Sequence, residues 1–318
     1  MAWGRQAGTV ERSGPLNDIP AATSPWRPPA IPPPSRRWHA ATAALWRKAF
    51  SDSWRQLLVT AVLLLLFAWL FVWLMSLFSA GSWVRLFDWL PDPMRGFIRA
   101  WLGVELVDLA STTGRISFLY MHVVTVLLFF TWAVGRGSDA VSGGISDGTM
   151  EFILTLPIRR VWVLVVPAIV NTAGTALLAL SLWCGTWIGV TLVDLDEDVS
   201  IRLFLPGAAN VFSMAFCLTG VTTLFSSFGR DRWRTIWLAV GFFVVSAIVK
   251  LVARMWEPGA WLRFFSFLTT FEPQQLILLR EGAWSASLWY DGPLLAAGLA
   301  GYIAAAIVFT WRDIPVPR

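Results

Sequence analysis

The chain has 318 residues, of which 56% are hydrophobic and only 14% are charged. Soluble domains are about 25% charged, so this composition lacks the polar surface that a soluble protein of this length needs. The net charge of +5 does not indicate nucleic-acid binding, because Lys and Arg in a membrane protein set its orientation. We therefore expect an all-α, polytopic membrane protein, with lipids rather than nucleic acid around it.

The chain changes character near residue 35. Residues 1–35 are rich in Pro, Gly, Ser and Ala and cannot bury a core, so we predict a disordered cytoplasmic tail. Residues 36–55 alternate basic residues with Trp and Leu at near-helical spacing. This pattern is typical of an amphipathic helix in the membrane interface. We predict one membrane domain over residues 36–318, which begins with that helix.

Six apolar stretches are long enough to cross a bilayer, which takes about 20 residues each. They cover residues 57–79, 117–135, 161–190, 205–228, 235–254 and 293–311. Pro167 lies in the overlong third stretch and predicts a kink or an interfacial first turn. Lys250 lies near the end of the fifth, where its side chain is expected to reach the headgroups.

The segments at residues 80–116 and 255–292 are rich in aromatic residues among charged ones. We predict that both form short helices on the outer membrane surface. Most of the 25 Lys and Arg residues lie in the tail and the helix at 36–55, in the loops after spans two and four, and at the C-terminus. Because basic residues favour the cytoplasmic side, we expect both termini to be cytoplasmic.

The most informative segment is the predicted cytoplasmic loop at residues 136–160. Its middle, residues 143–158, predicts a short helix with Ser146 or Asp147 as the N-cap. A helix of about ten residues is roughly 15 Å long and cannot span a bilayer. Two interpretations stay open. It is an amphipathic helix packed under the bundle, or a docking helix that enters a groove on a partner.

This segment resembles the coupling segment of type 2 ABC transporter permeases. The similarity lies in Gly148 and Thr149, an acidic residue, an apolar run, and a closing Pro and basic residue. In that family the segment joins spans two and three and docks on the ATPase subunit. The helix at 36–55 is similar to the family's elbow helix, and residues 225–232 resemble its small-residue and basic loop. Residues 311–316 resemble a common C-terminal ending.

The chain departs from the family pattern at one position. Gly144 stands where many members have a Glu four residues before the motif glycine. Either Glu151 or Asp147 supplies the local acid, or that contact is absent.

The resemblance implies the membrane-spanning permease subunit of an ATP-driven exporter in a bacterial cytoplasmic (inner) membrane. It also implies a homodimer or a pair with a paralogue, bound to separate ATPase subunits. The ATPase would dock on the coupling segment. The basic loop would make a secondary contact, either with the ATPase or with lipid headgroups. The first set is Asp147, Gly148, Thr149, Glu151, Phe152, Leu154, Leu156, Pro157 and Arg159, and the second is Arg230, Arg232 and Arg234.

The chain is not expected to be the motor or an enzyme. A phosphate-binding P-loop needs GxxxxGK followed by Ser or Thr, and neither Lys48 nor Lys250 stands in such a motif. Ser142 and the two glycines after it are interpreted as a flexible turn. ATP and Mg would be bound by the partner ATPase, with no cofactor in this chain. His39 and His122 are far apart in sequence, so no metal site is predicted.

Two other functions remain in view. One is a non-transporting membrane anchor or scaffold that recruits a cytoplasmic partner through the same helix. The other is a secondary transporter, which is disfavoured because ionisable residues are scarce inside the predicted spans. Asn171 and Asn210 lie within spans, where they either line a translocation path or pair helices. The sequence does not identify the cargo, although the lack of charge favours an apolar or amphipathic one.

Overall fold

The computed structural model describes residues 34–78, 89–104, 108–155, 158–279 and 282–311. Within these ranges the regular structure is helical, with no β-strand. Six segments are long and apolar enough to cross a membrane: Ala41–Ser76, Thr112–Ser146, Arg160–Leu192, Ile201–Phe228, Arg232–Met255 and Ala283–Trp311. The predicted all-α, multi-pass fold is confirmed. The predicted tail, apart from its last two residues, and residues 312–318 lie outside the described ranges.

Ten α-helices are numbered here in chain order. They are α1 Pro34–Ser76, α2 Asp92–Leu102, α3 Thr112–Ser117, α4 Val123–Ser138, α5 Thr149–Leu154, α6 Arg160–Leu192, α7 Leu205–Phe228, α8 Arg232–Met255, α9 Pro273–Leu278 and α10 Ala283–Trp311. Short 3-10 segments occur at Asp108–Ala110, Phe118–Tyr120, Ile201–Phe204, Glu257–Phe265 and Phe267–Thr270. We call the end of the bundle that carries residues 136–155 the inner end, and the opposite one the outer end.

Helix α1 is a single helix of 43 residues. At 1.5 Å per residue it is about 65 Å long, roughly twice the apolar thickness of a bilayer. Leu45 and Ala49 in its first half are buried in a cluster with Val166 of α6, whereas Phe50 is exposed. The helix predicted over 36–55 is therefore the first part of α1. Its position in a membrane interface stays a prediction.

Helix α7 lies at the centre of the bundle and packs against α4, α6, α8, α9 and α10. In the most apolar part of its span 67% of the residues are buried, against 11% for α8. Helices α7 and α10 cross at glycines of both helices. A Cβ on Gly220 would lie 2.2 Å from the carbonyl oxygen of Gly298. Backbones approach this closely only where side chains are absent.

Helix α6 extends from Arg160 to Leu192, close to the predicted third span, with Pro167 in its interior. The kink or interfacial first turn expected there stays a prediction. Two other predicted boundaries differ from the observed ones. The second span continues to Ser146, which makes the first part of the predicted loop helical. Helix α10 begins ten residues before the predicted sixth span, so Asp291 lies inside a spanning helix.

The short helices of the outer end are only in part surface elements. Phe264 and Phe265 are 76% and 74% exposed, as expected for a segment on a membrane surface. In contrast, all six residues of α3 are buried. Gln274 of α9 is also buried and donates to Ser117 of α3 at 3.3 Å. For α3 and α9 the surface prediction is wrong, because polar contacts draw these helices into the bundle.

Lys250 does not reach outward to the headgroups, and that expectation is wrong. Its Nζ lies 2.6 Å from Oε1 of Glu272 and donates to the carbonyl oxygen of Phe271 at 2.8 Å. Arg254 pairs with the same carboxylate and donates to the carbonyl oxygen of Ala100 at 2.9 Å. One buried carboxylate therefore joins two cations of α8 to the segment before α9.

Asn210 of α7 connects this ion pair to α10. Its Nδ2 donates to Oδ1 of Asp291 at 2.7 Å and to the carbonyl oxygen of Thr270 at 3.1 Å. Its Oδ1 accepts from the backbone N–H of Glu272 at 2.8 Å. Asn210 thus pairs helices.

Lys250 and Asp291 lie inside spanning helices. They weaken the case against ion-driven transport, because that case depended on spans without charges.

Replacing Glu272 by Gln is expected to destabilise the protein. The amide keeps the shape of the side chain but leaves Lys250 and Arg254 without an anion, and such a loss in a buried pair costs about 3–5 kcal/mol. Thermal unfolding of the purified protein measures the effect. Glu257→Gln is the matched control, because Glu257 is an exposed acid at the same end. Equal unfolding midpoints for the two variants would contradict the central position of Glu272.

Candidate functional site

The chain reaches α5 from α4 through a helical but irregular connection. Helix α4 continues as a π-helical segment, Asp139–Gly143, and a helical turn, Gly144–Ser146. Gly148 then takes a left-handed conformation with φ of 69° and is the N-cap of α5, a conformation that glycine adopts without strain. The predicted N-caps, Ser146 and Asp147, are wrong. The run from Ser142 to Gly144, predicted as a flexible turn, is helical.

Helix α5 has six residues and is shorter than the predicted helix at 143–158. Met150 on one face is 3% exposed and packs in a cluster with Val141, Val163 and Phe309 of α10. The opposite face is open, since Phe152 is 77% exposed. Helix α5 therefore packs under the bundle through Met150 and presents Phe152 outward, as the first interpretation expects of an amphipathic helix. Docking into a groove on a partner stays a prediction.

The other residues predicted to dock divide by their exposure. Asp147, Gly148, Glu151 and Arg159 are exposed. Thr149 is half-buried and its hydroxyl donates to the carbonyl oxygen of Gly144 at 3.3 Å, so it contributes to the turn. Leu156 and Pro157 lie outside the described residues, and the side chain of Leu154 is not described.

The basic loop after α7 lies directly beside this segment. The hydroxyl of Ser146 accepts from the backbone N–H of Arg232 at 3.2 Å and donates to the carbonyl oxygen of Arg230 at 3.4 Å. The guanidinium of Arg232 turns inward, 3.6 Å from Asp139, whereas Arg230 and Arg234 are exposed. The two predicted contacts thus form one continuous surface, in which the Arg232 side chain stays 41% exposed.

Arg136 is buried at the inner end, although it was expected in a loop. Its Nε donates to Oδ1 of Asn171 at 3.1 Å and its Nη1 to the carbonyl oxygen of Asp52 at 3.3 Å. Asp139 lies 3.5 Å away. The spacing of three residues between Arg136 and Asp139 is a helical pair that sequence reasoning missed. Asn171 accordingly pairs helices.

These charged side chains line a cavity of about 330 Å³ between α1, α4, α5 and α6. Its charged groups are Lys48, Asp52, Arg136, Asp139, Asp147 and Arg232. Their signs balance, and most are paired with one another.

Within the described ranges, no three His, Cys, Asp or Glu side chains are grouped closely enough to hold a metal ion. No protein-family model matches the chain, and a search of curated proteins found no match. The resemblance to ABC permeases therefore stays a hypothesis that rests on this chain's own residues.

Two truncations on α5 are expected to differ sharply in their effect on stability. Met150→Ala removes a buried side chain and should cost about 2–5 kcal/mol. Phe152→Ala removes an exposed one and should change stability by no more than about 0.5 kcal/mol. Thermal unfolding of both purified variants provides the comparison. A larger loss for Phe152→Ala than for Met150→Ala would mean that α5 faces the other way.

Proposed function

We propose that this chain is the membrane-spanning permease subunit of an ATP-driven ABC exporter. A separate ATPase subunit docks on the surface formed by α5 and the basic loop. The observation that carries this proposal is Phe152, a large apolar side chain that is 77% exposed on a helix anchored from behind by Met150. An exposed aromatic residue with a charged rim is typical of a protein contact.

The charges around Phe152 support a specific partner orientation. Asp147 and Glu151 are exposed on the α5 side, and Arg230 and Arg234 are exposed on the loop side. A partner groove with an apolar centre and opposite charges at its two rims would match this surface. Such complementarity favours one docking orientation over others.

The packing of α5 supports transmission of movement into the bundle. Met150 is in contact with the start of α6 and with Phe309 near the end of α10 through one buried cluster. Two copies, or this chain and a paralogue, would form the transmembrane unit. Closure of two ATPase subunits on ATP would move both α5 helices, and the rigid contacts would pass that movement to α4, α6 and α10.

A second cavity supports an apolar or amphipathic cargo. It has a volume of about 310 Å³ and lies between α4 and α8 at the outer end. Most of its lining is apolar, including Phe118, Phe243 and Phe271, while His122 and Lys250 add polar atoms. We assign the protein to a bacterial inner membrane with both termini in the cytoplasm, which would put the docking surface on the side where ATP is present.

Docking is tested by purifying the tagged chain from its native membranes and measuring how much ABC ATPase is bound to it by mass spectrometry. The variant Glu151→Ala with Phe152→Ala should reduce the bound ATPase about tenfold or more, since central apolar contacts contribute about 2 kcal/mol or more. The matched control is Glu257→Ala with Phe264→Ala, an exposed acid and an aromatic residue that is 76% exposed at the outer end. The control should bind as the wild type does.

Two results would overturn parts of this proposal. Unchanged binding and ATP turnover for the α5 variant would mean that α5 is not the docking helix. Binding that depends on Phe152, with an ATPase whose turnover does not respond to the wild-type chain, would favour a membrane anchor or scaffold instead of a transporter.

A further inference from the structure

A serine of α7 is inserted into the helical ladder that leads to α5. In an α-helix the amide of Ser142 would donate to the carbonyl oxygen of Ser138, four residues earlier. Instead the hydroxyl of Ser226 lies between them, with Oγ 2.8 Å from the amide nitrogen of Ser142 and 3.0 Å from the carbonyl oxygen of Ser138. Oγ also accepts from the amide of Val141 at 3.1 Å.

This insertion coincides with the π-helical segment Asp139–Gly143. A π-helical turn contains one residue more than an α-helical turn and occurs mainly as a single insertion, often at functional sites. A side chain that enters the ladder is a recognised cause of such irregularity. The Ser226 hydroxyl therefore occupies the place in the ladder where the π segment occurs.

Two further hydroxyl groups complete a buried network. The hydroxyl of Ser142 donates to the carbonyl oxygen of Ser138 at 2.8 Å, and that of Thr235 in α8 donates to Ser142 at 3.0 Å. Ser142 and Ser226 are fully buried, and Thr235 is 1% exposed. Because these side chains are buried within the protein, removing the Ser226 hydroxyl leaves backbone donors without an acceptor.

The close approach of α4 and α7 makes this contact possible. A Cβ on Gly137 would lie 2.7 Å from the Cβ of Thr222, one turn before Ser226 on α7. Only a small side chain on α4 permits the two helices to come this near. The short side chain of Ser226 then reaches the α4 backbone directly.

We infer that Ser226 is a positioning residue for the docking surface. Its hydroxyl holds the extra residue of the π segment and so determines the direction in which the chain leaves α4 for α5. If the π turn became an α-helical turn, which holds one residue fewer, the residues that follow would rotate by about 100° and shift by about 1.5 Å. Met150 would then leave its cluster, and Phe152 would point elsewhere. The meaning of this orientation for ATP coupling rests on the proposed function, whereas the contact itself does not.

The first test measures the hydroxyl bridge without any partner. In hydrogen exchange of the full chain in lipid nanodiscs, Ser226→Ala should increase exchange about tenfold at the amides of Val141 and Ser142. Ser287→Ala is the matched control, since the hydroxyl of Ser287 is buried in α10 and donates to Ala283 of its own helix. The control should leave exchange at Val141 and Ser142 unchanged. Unchanged exchange in Ser226→Ala, together with an unchanged position of α5 in the second test, would overturn the bridge.

The second test measures the position of α5. Spin labels are placed at Phe152 and at Trp237, which is 67% exposed on α8, in a chain from which Cys184 and Cys217 are removed. Ser226→Ala should shift or broaden the distance distribution between the labels, and Ser287→Ala should not. Identical distributions would overturn the positioning role. If the wild-type chain binds no ATPase, the proposed function fails, while the distance distribution still decides the role of Ser226.

Discussion

A polar group inside a membrane bundle must find its partner within the protein, because the lipid chains offer none. Helix α7 supplies such hydrogen-bond partners at both ends of the molecule. Asn210 near its outer end bonds to Asp291 and to the backbone at Glu272. Ser226, about 24 Å farther along the helix at 1.5 Å per residue, bonds to the backbone of Ser138 and Ser142. The glycine crossing with α10 brings the two helices into backbone contact between these points.

This arrangement connects the proposed docking surface with the outer end through one helix, α7. At the inner end α7 holds the π segment that precedes α5. At the outer end Asn210 of α7 bonds to the backbone of Glu272. The carboxylate of Glu272 in turn pairs with Lys250 and Arg254. A displacement of α7 would disturb both sets of bonds together. The proposed export would require such a connection, since its cargo would leave at the opposite side.

Hydropathy and length were enough to predict six spans, because each is a long run of apolar residues with few charges. The polar contacts were not predictable in this way. Lys250 and Glu272 are separated by a connection without periodicity, and nothing local indicates their pairing. The Ser226 hydroxyl reaches the helical ladder before α5 only because α4 and α7 cross close to it, and the sequence does not indicate where two helices cross. For α5, the exposed Phe152 follows from its helical offset from Met150, but which face is buried depends on α6 and α10.

The most direct test of the docking surface is site-specific photo-crosslinking from position 152 in native membranes, followed by mass spectrometry of the product. A photoreactive residue in place of Phe152 should attach to an ABC ATPase that contains a P-loop. The same residue in place of Leu127, which is 57% exposed on the side of α4, should attach to lipid or to no ATPase. Attachment of the ATPase from both positions, or from neither, would contradict the account.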